Sequence, residues 1–221
     1  MRQKTIRLFI LYKREALKAG RSIKSLNDIK PMLRGEWLRM QNVKIRRPLA
    51  KERLQLNEFF KLVITDTFIK EGIGEKLDDL HEECAIKEKY LENDLESGGK
   101  KRYFLIAEAS DRIIGSIEYG PASKLICDST DNAFGKTVEV GTVFVHPDYQ
   151  GKGIGSMLLN EIVFVLQNER IEAFCLDSGY SIAQKIWKKK FGKPEYLLKD
   201  FWGEGSDHMI WGLKVKDWIR K

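Results

Sequence analysis

The segment Val143-Phe-Val-His-Pro-Asp-Tyr-Gln150-Gly-Lys-Gly-Ile-Gly155-Ser156 sets three glycines at alternate positions between a strand-like and a helix-like stretch. Backbone without Cβ atoms turns tightly and lets a ligand approach closely. The helix that follows begins with N–H groups lacking intrahelical partners, and these receive an anion such as a pyrophosphate well. Lys152 stands where it can add a charge-assisted contact. Two other phosphate-binding loops are excluded. A dinucleotide fingerprint needs GxGxxG directly after its strand. Here residues 146–150 intervene, the spacing is GxGxG, and only 44 residues follow Asp177, the acid that would serve the ribose. No GxxxxGK[ST] stretch is present for a Walker loop.

Other chemistry-bearing residues are sparse. His81, His146 and His208 are isolated, and Cys84, Cys127 and Cys175 form no CxxC pair. No metal site or disulfide framework is expected, and the thiols suit a reducing, cytoplasmic setting. His146, beside Pro147, reads as structural. On the strand before the glycine loop, even-numbered separation would keep Glu139, Gly141, Val143 and Val145 on one face.

The elements that must position these residues follow from the hydrophobic period. Val43 to Ile45 alternates as a short strand, and Pro48 is suited to open a helix. Leu56, Phe59, Phe60, Val63 and Thr67 continue a helical stripe. Leu77, Leu80, Cys84, Leu91 and Leu95 mark a second helix, whose other face is acidic and which ends at Gly98-Gly99. The period then becomes that of strands at Tyr103–Ala109 and Ile113–Tyr119 around an Asp111-Arg112 turn. A polar loop spans 121–136, and Thr137 to Val145 is the next strand. After the glycine loop come a helix through Leu166, a strand from Ile171 to Leu176, a helix from Ser181 to Phe191, and closing strands near Tyr196–Trp202 and His208–Val215.

Strand, His-Pro, then Gln150-Gly-Lys-Gly-Ile-Gly155 resembles the Q/RxxGxG/A signature of the GNAT superfamily of N-acetyltransferases. The likeness in element order covers residues 43–215 and is most specific over Glu139–Leu159. It implies an α/β fold with a mixed, mostly antiparallel central sheet and flanking helices. It implies acetyl-CoA as co-substrate, with no metal. Val143, Phe144 and Val145 would lie along the pantetheine arm, and Gln150, Gly151, Lys152, Gly153, Ile154, Gly155 and Ser156 would hold the pyrophosphate.

The same resemblance implies transfer of an acetyl group to an amine by direct attack. An alkyl amine has a pKa of around 10, so a base is useful at neutral pH. Glu139 occupies the strand position where many family members carry a catalytic glutamate, and the N–H of Val145 is the implied donor to the oxyanion. In related sequences the last helix reads NxxAxxxYxxxGF, and its tyrosine protonates the departing thiolate. Here Trp187 holds the tyrosine position and Tyr180 the asparagine position. An indole N–H donates a hydrogen bond but is no practical acid. Three routes stay open: departure of the thiolate aided by water, Tyr180 as the acid, or cofactor binding with little turnover.

The 221 residues carry a net charge of +7 that is unevenly spread. Residues 1–50 hold 14 Lys/Arg against 3 Asp/Glu, whereas the rest holds 25 against 29. The division expected is a basic helical extension, 1–42, and an acetyltransferase domain, 43–221. The longest N-terminal apolar run is short and bracketed by Arg7 and Lys13, so neither a membrane span nor a secretory signal is expected. The resemblance implies an amine-bearing acceptor, a small molecule or a protein, and an oligomer is compatible with the pattern. The alternative reading is a CoA-binding regulatory module whose basic extension contacts RNA or an acidic partner. The absence of an aromatic-rich RNA-binding strand pair weighs against the nucleic-acid version of it.

Overall fold

The computed structural model describes residues 43–219; the extension expected over 1–42 lies outside them. One seven-stranded sheet runs in the order β1-β2-β3-β4-β5-β7-β6. Its strands are β1 (Lys44–Arg46), β2 (Tyr103–Ala109), β3 (Arg112–Pro121), β4 (Val138–Val145), β5 (Ala173–Ser178), β6 (Tyr196–Leu198) and β7 (His208–Lys214). Every neighbouring pair is antiparallel except β4 and β5. The fold is therefore mixed α/β with a mostly antiparallel sheet.

Side chains alternate across the sheet, so helices cover both faces. On one face lie α1 (Arg53–Lys70) and α2 (Leu77–Ser97). Leu56, Phe60, Val63 and Ile64 of α1 and Leu80 and Leu91 of α2 pack with Phe104 and Ile106 of β2. On the other face is α4 (Ile154–Asn168), which buries Ile154, Leu158, Leu159, Ile162 and Leu166. It lies so close to β3 that a Cβ on Gly115 would stand 2.9 Å from Leu158. Further along the sheet, α5 (Ser181–Phe191) buries Gln184 and Trp187. A helical turn, α6 (Val215–Ile219), follows β7.

Several expectations shift by a residue or an element. Pro48 precedes the helix start: a 3-10 turn, Ala50–Glu52, comes first, and the Glu52 carboxylate accepts from the Leu49 N–H at 2.8 Å. Of the expected α2 stripe, Leu77 is exposed, whereas Asp94 is buried and accepts from the Phe104 N–H at 2.9 Å. The β2–β3 turn is Ser110-Asp111, both at positive φ of 50° and 60°, the two-residue turn whose twist matches the strands. The polar loop holds a short helix, α3 (Lys124–Ser129), capped by Ser123 Oγ accepting from the Ile126 N–H.

A larger difference lies inside β4. Glu118 faces Gly141 and Ser116 faces Phe144, so β4 takes three steps where β3 takes two. This is a β-bulge, and Thr142 absorbs it at φ +49°. A β-branched residue is unfavourable there, but Thr142 is tied at both ends. Its hydroxyl donates to Glu118 Oε1 at 3.2 Å, and its carbonyl accepts from Ser116 Oγ at 3.0 Å. The bulge overturns the expected shared face. Phe144, not Val143 and Val145, lies on the face of Glu139 and Gly141, and its ring meets Phe60 edge-on at 5.9 Å.

Candidate active site

The bulge decides where the sheet opens. β4 and β5 pair only at Val138–Phe174 and Glu139–Cys175, although β5 continues to Ser178 against β7. From Val140 onward β4 has no β5 neighbour, and Val143, Phe144 and Val145 are only half-buried along that edge. A parallel pair that splays in mid-strand exposes backbone donors and acceptors at the centre of a sheet.

At the mouth of this wedge the chain makes a 3-10 turn, Pro147–Tyr149, for which His146 acts as the cap: its Nδ1 accepts from the Asp148 N–H. Gln150 then braces the loop. Its side-chain amide donates to the Val145 carbonyl at 3.1 Å, and its oxygen accepts from Lys70 Nζ at 2.9 Å. Gly151 and Gly153 take φ of +72° and +89°, conformations open to glycine at little cost. Among the described residues, the N–H groups of Gly151, Gly153, Ile154 and Gly155 donate to no backbone carbonyl. These amides and the first turn of α4 make a concavity suited to phosphate oxygens. From α5, Lys190 Nζ reaches Ser156 Oγ at 2.8 Å, which brings a cation to the same helix start.

The other side of the wedge is built from side chains. Glu139 is buried, and its Oε2 accepts from the Ser123 N–H at 2.6 Å. Burial, then the charges of Asp177 and Glu118, push its carboxyl up to about 7, while Arg102 and Lys87 oppose the rise. Such a group is ionised for a useful part of the time near neutrality and takes a proton readily. Glu118 shares its face across Gly141 and is fully buried. It is paired with Arg102 at 2.7 Å, whose guanidinium lies 3.3 Å from the centre of the Tyr90 ring. Burial raises Glu118 as well, against the pull of Arg102. The neighbouring Cys175 thiol is pushed up to about 12 by burial, Glu139 and Asp177, and is inert at neutral pH.

Tyr180 follows β5 and packs on Phe68. Its hydroxyl donates to the Glu83 carboxylate of α2, and burial together with Glu83 raises its pKa strongly. It therefore stays protonated. Next to it, Glu71 at the end of α1 accepts from the Ser181 and Ile182 N–H groups at 3.1 and 2.9 Å. The connection between α1 and α2 is thereby fastened to the start of α5. Trp187, at the tyrosine position of the sequence pattern, is buried and stacked on Phe191 at 5.6 Å.

The fold thus brings Glu139 to one side of the wedge and residues 143–145 and 150–156 to its edge and mouth. Glu118, Arg102 and Lys190 were not singled out in the sequence. A lone carboxylate within the apolar run Ile113–Tyr119 was the available signal for Glu118. Lys190 carried none, because it is one of three consecutive lysines.

An opened sheet with an amide-lined turn at its mouth is the architecture of a protein able to take an extended, phosphate-bearing ligand between two strands. The sequence model of the acetyltransferase (GNAT) family matches residues 64–192, and the chain belongs to that family. Solved structures share the fold. The PaiA N-acetyltransferase of Thermoplasma acidophilum, in complex with coenzyme A, superposes with a TM-score of 0.57 at 21% identity, covering 78% of this chain and 98% of its own. Ribosomal-protein-alanine N-acetyltransferase from Brucella melitensis gives 0.56 at 20% identity, covering 77% and 99%. The yncA protein of Salmonella typhimurium, solved with its cofactor acetyl-CoA, gives 0.57 at 18%, covering 79% and 94%. No curated protein matches the sequence. Among the described residues, no group of three His, Cys, Asp or Glu is placed to hold a metal ion, and no helix is long and apolar enough to cross a membrane.

Proposed function

We propose that this protein transfers an acetyl group from acetyl-CoA to an amine. The observation that carries the reading is the open edge of β4 beyond Glu139, continuous with a loop in which the N–H groups of Gly151, Gly153, Ile154 and Gly155 have no backbone acceptor among the described residues. These residues fit coenzyme A. The half-buried edge of Val143, Phe144 and Val145 suits the amide-bearing pantetheine arm, and the amides of Gly151 to Gly155, with Lys152 and the Ser156 hydroxyl, suit the pyrophosphate. Gln150 holds the loop in place. When bound, acetyl-CoA supplies a thioester carbonyl open to nucleophilic attack.

In this reading Glu139, ionised, removes a proton from the incoming ammonium and becomes the carboxylic acid, leaving a neutral amine. The N–H of Val145 donates to the carbonyl oxygen as negative charge gathers on it. The C–N bond forms and the C–S bond breaks. A second nitrogen proton is lost, and the thiolate takes up one proton, so the balance is amide, thiol and one released proton. Tyr180 is our candidate for the thiolate's donor. Its support is its position two residues past the end of β5, beside the opened edge; burial and Glu83, which raise its pKa, act against release of the proton, which must be drawn from the hydrogen bond to Glu83. We also propose the division into an extension, 1–42, and an acetyltransferase domain, 43–221, with a cytosolic setting in keeping with three free thiols.

The test is thermal unfolding with and without acetyl-CoA, in the wild type and in Gly153→Glu. A ligand at about 100 times its Kd stabilises by about 2.7 kcal/mol, or roughly 5–10 °C in a domain of this size. A rise present in the wild type and lost in the variant is expected. No rise in the wild type would remove the reading.

A further inference from the structure

Asp177, rejected above as a ribose ligand, is held by an arrangement that the proposed chemistry leaves unused. It stands on β5 two residues past Cys175, the partner of Glu139. The alternation of the strand therefore puts Asp177 on the face of Glu139, level with the part of β4 that has splayed away. Its Oδ2 is 3.0 Å from Nε2 of His208 on β7, and His208 Nδ1 is 3.0 Å from Nε1 of Trp202. An indole N–H can only donate. Nδ1 must then carry the lone pair, and Nε2–H donates to Asp177, which fixes a neutral ring in one tautomer. His208 itself is buried.

The indole reaches this position because residue 179 is glycine. A Cβ there would lie 2.6 Å from Trp202 Nε1 and 3.4 Å from His208 Nδ1. The relay thus orients one oxygen of Asp177. No donor among the described residues reaches the other, and the side chain is 24% exposed. On the other side of the His208 ring stand the exposed rings of Phe201 and Trp202, 4.9 Å apart and 5.6 and 5.8 Å from it. A carboxylate with one oxygen anchored and one open is suited to an alkylammonium group.

We infer that Asp177, positioned by His208 and Trp202, is the binding residue for the ammonium group of the acceptor. The inference rests on the acetyltransferase reading and names the residue that holds the acceptor in the same site. Asp177 takes an N–H of the ammonium, and the proton abstracted for attack goes to Glu139. The groups facing Glu139 are Glu118 of β3, Arg102 before β2, Lys87 and Tyr90 of α2, and Cys175 and Asp177 of β5. Neutralising Asp177 removes one of the negative charges among them.

The experiment measures steady-state kinetics with acetyl-CoA and three probe amines: spermidine, a peptide bearing one free lysine side chain, and aniline, which is uncharged at neutral pH. Asp177→Asn is expected to raise the KM of the cationic amines tenfold or more. It should leave the KM of acetyl-CoA unchanged and move the acid limb of kcat/KM to lower pH. Trp202→Phe should give a smaller rise of the same kind, and it decides the matter if Asp177→Asn does not fold. Unchanged amine KM values in the folded variants would overturn the proposal. So would a wild type that acetylates only aniline, or none of the three while acetyl-CoA still raises its melting point; in the last case the acetyl-CoA reading stands alone. A wild type that acetyl-CoA does not stabilise identifies failure of the underlying reading instead.

Discussion

The two sides of the wedge are made in different ways. The side facing the glycine loop is a continuous piece of chain, Val143 to Ser156, and its proposed recognition groups are backbone amides set by two left-handed glycines and a helix start. The side holding Glu139 is assembled from side chains on β3, β4, β5, β7, α2 and the segment before β2. Contiguous backbone tolerates change in its side chains but not in its φ angles. A convergent cluster of buried charges tolerates neither removal of a partner nor a change of dielectric.

The largest effect that would sharpen this contrast is expected at Arg102. Arg102→Met leaves the Glu118 carboxylate buried without its counter-charge, and breaking such a pair costs about 3–5 kcal/mol. Chemical denaturation should show that loss, and the double variant with Glu118→Gln should recover much of it. If Arg102→Met proves as stable as the wild type, the Glu139 side is not held together by its charges.

Glu139→Gln should lower kcat/KM by roughly 100-fold or more at pH 7.5, the usual scale for loss of a general base. Its stability should change in the opposite sense. The folded-state pKa of about 7 lies above the ordinary carboxylate value, so the folded chain keeps a proton that the unfolded chain has lost between about pH 4.5 and 7. Wild-type stability therefore falls as pH rises through that window. Above it the glutamine variant should be more stable, by on the order of 3 kcal/mol. Parallel melting curves from pH 4.5 to 8 would break the comparison, since they would mean that Glu139 is not destabilised by burial.

Tyr180→Phe should reduce kcat about tenfold, a barrier change of about 1.4 kcal/mol, with no change in the melting-point rise produced by acetyl-CoA. Turnover unaltered from pH 6 to 9 would remove Tyr180 from the reaction and leave it as an anchor for Glu83. The smallest effect is expected in the backbone-built side. Gly153→Ala places a Cβ at φ +89°, with no heavy atom within 4 Å to clash. The cost is the conformation alone, about 1–2 kcal/mol, seen as a melting point lower by roughly 2–8 °C. A loss far beyond that would mean that the loop depends on packing as the other side does.

Most strands and helices were legible because each depends on a local period. The stripe Leu56, Phe59, Phe60 and Val63 is buried as it reads, and Tyr103–Ala109 is a strand with the expected bounds. The misses share one cause, the replacement of a local preference by a distant partner. Asp94 sits on the inner face of α2 because Arg47 and the Phe104 N–H receive it. Val143 and Val145 leave the face of Glu139 because Thr142 adopts a left-handed conformation braced by Ser116 and Glu118 on the next strand. No period-2 count along β4 contains that bulge.

The sequence by itself determined the glycine loop that we propose receives an anion. Alternating glycines before a helix permit left-handed turns and expose amides within a dozen residues of chain, so the proposed chemistry is legible in the spacing. Only the tertiary structure decided the other half of the site. Glu118 is opposed by Arg102 across a β-strand pair, and Asp177 is held by His208 from a strand 31 residues on. What those carboxylates do depends on burial and on charges brought close in space, quantities that exist only once the sheet has closed on one side and opened on the other.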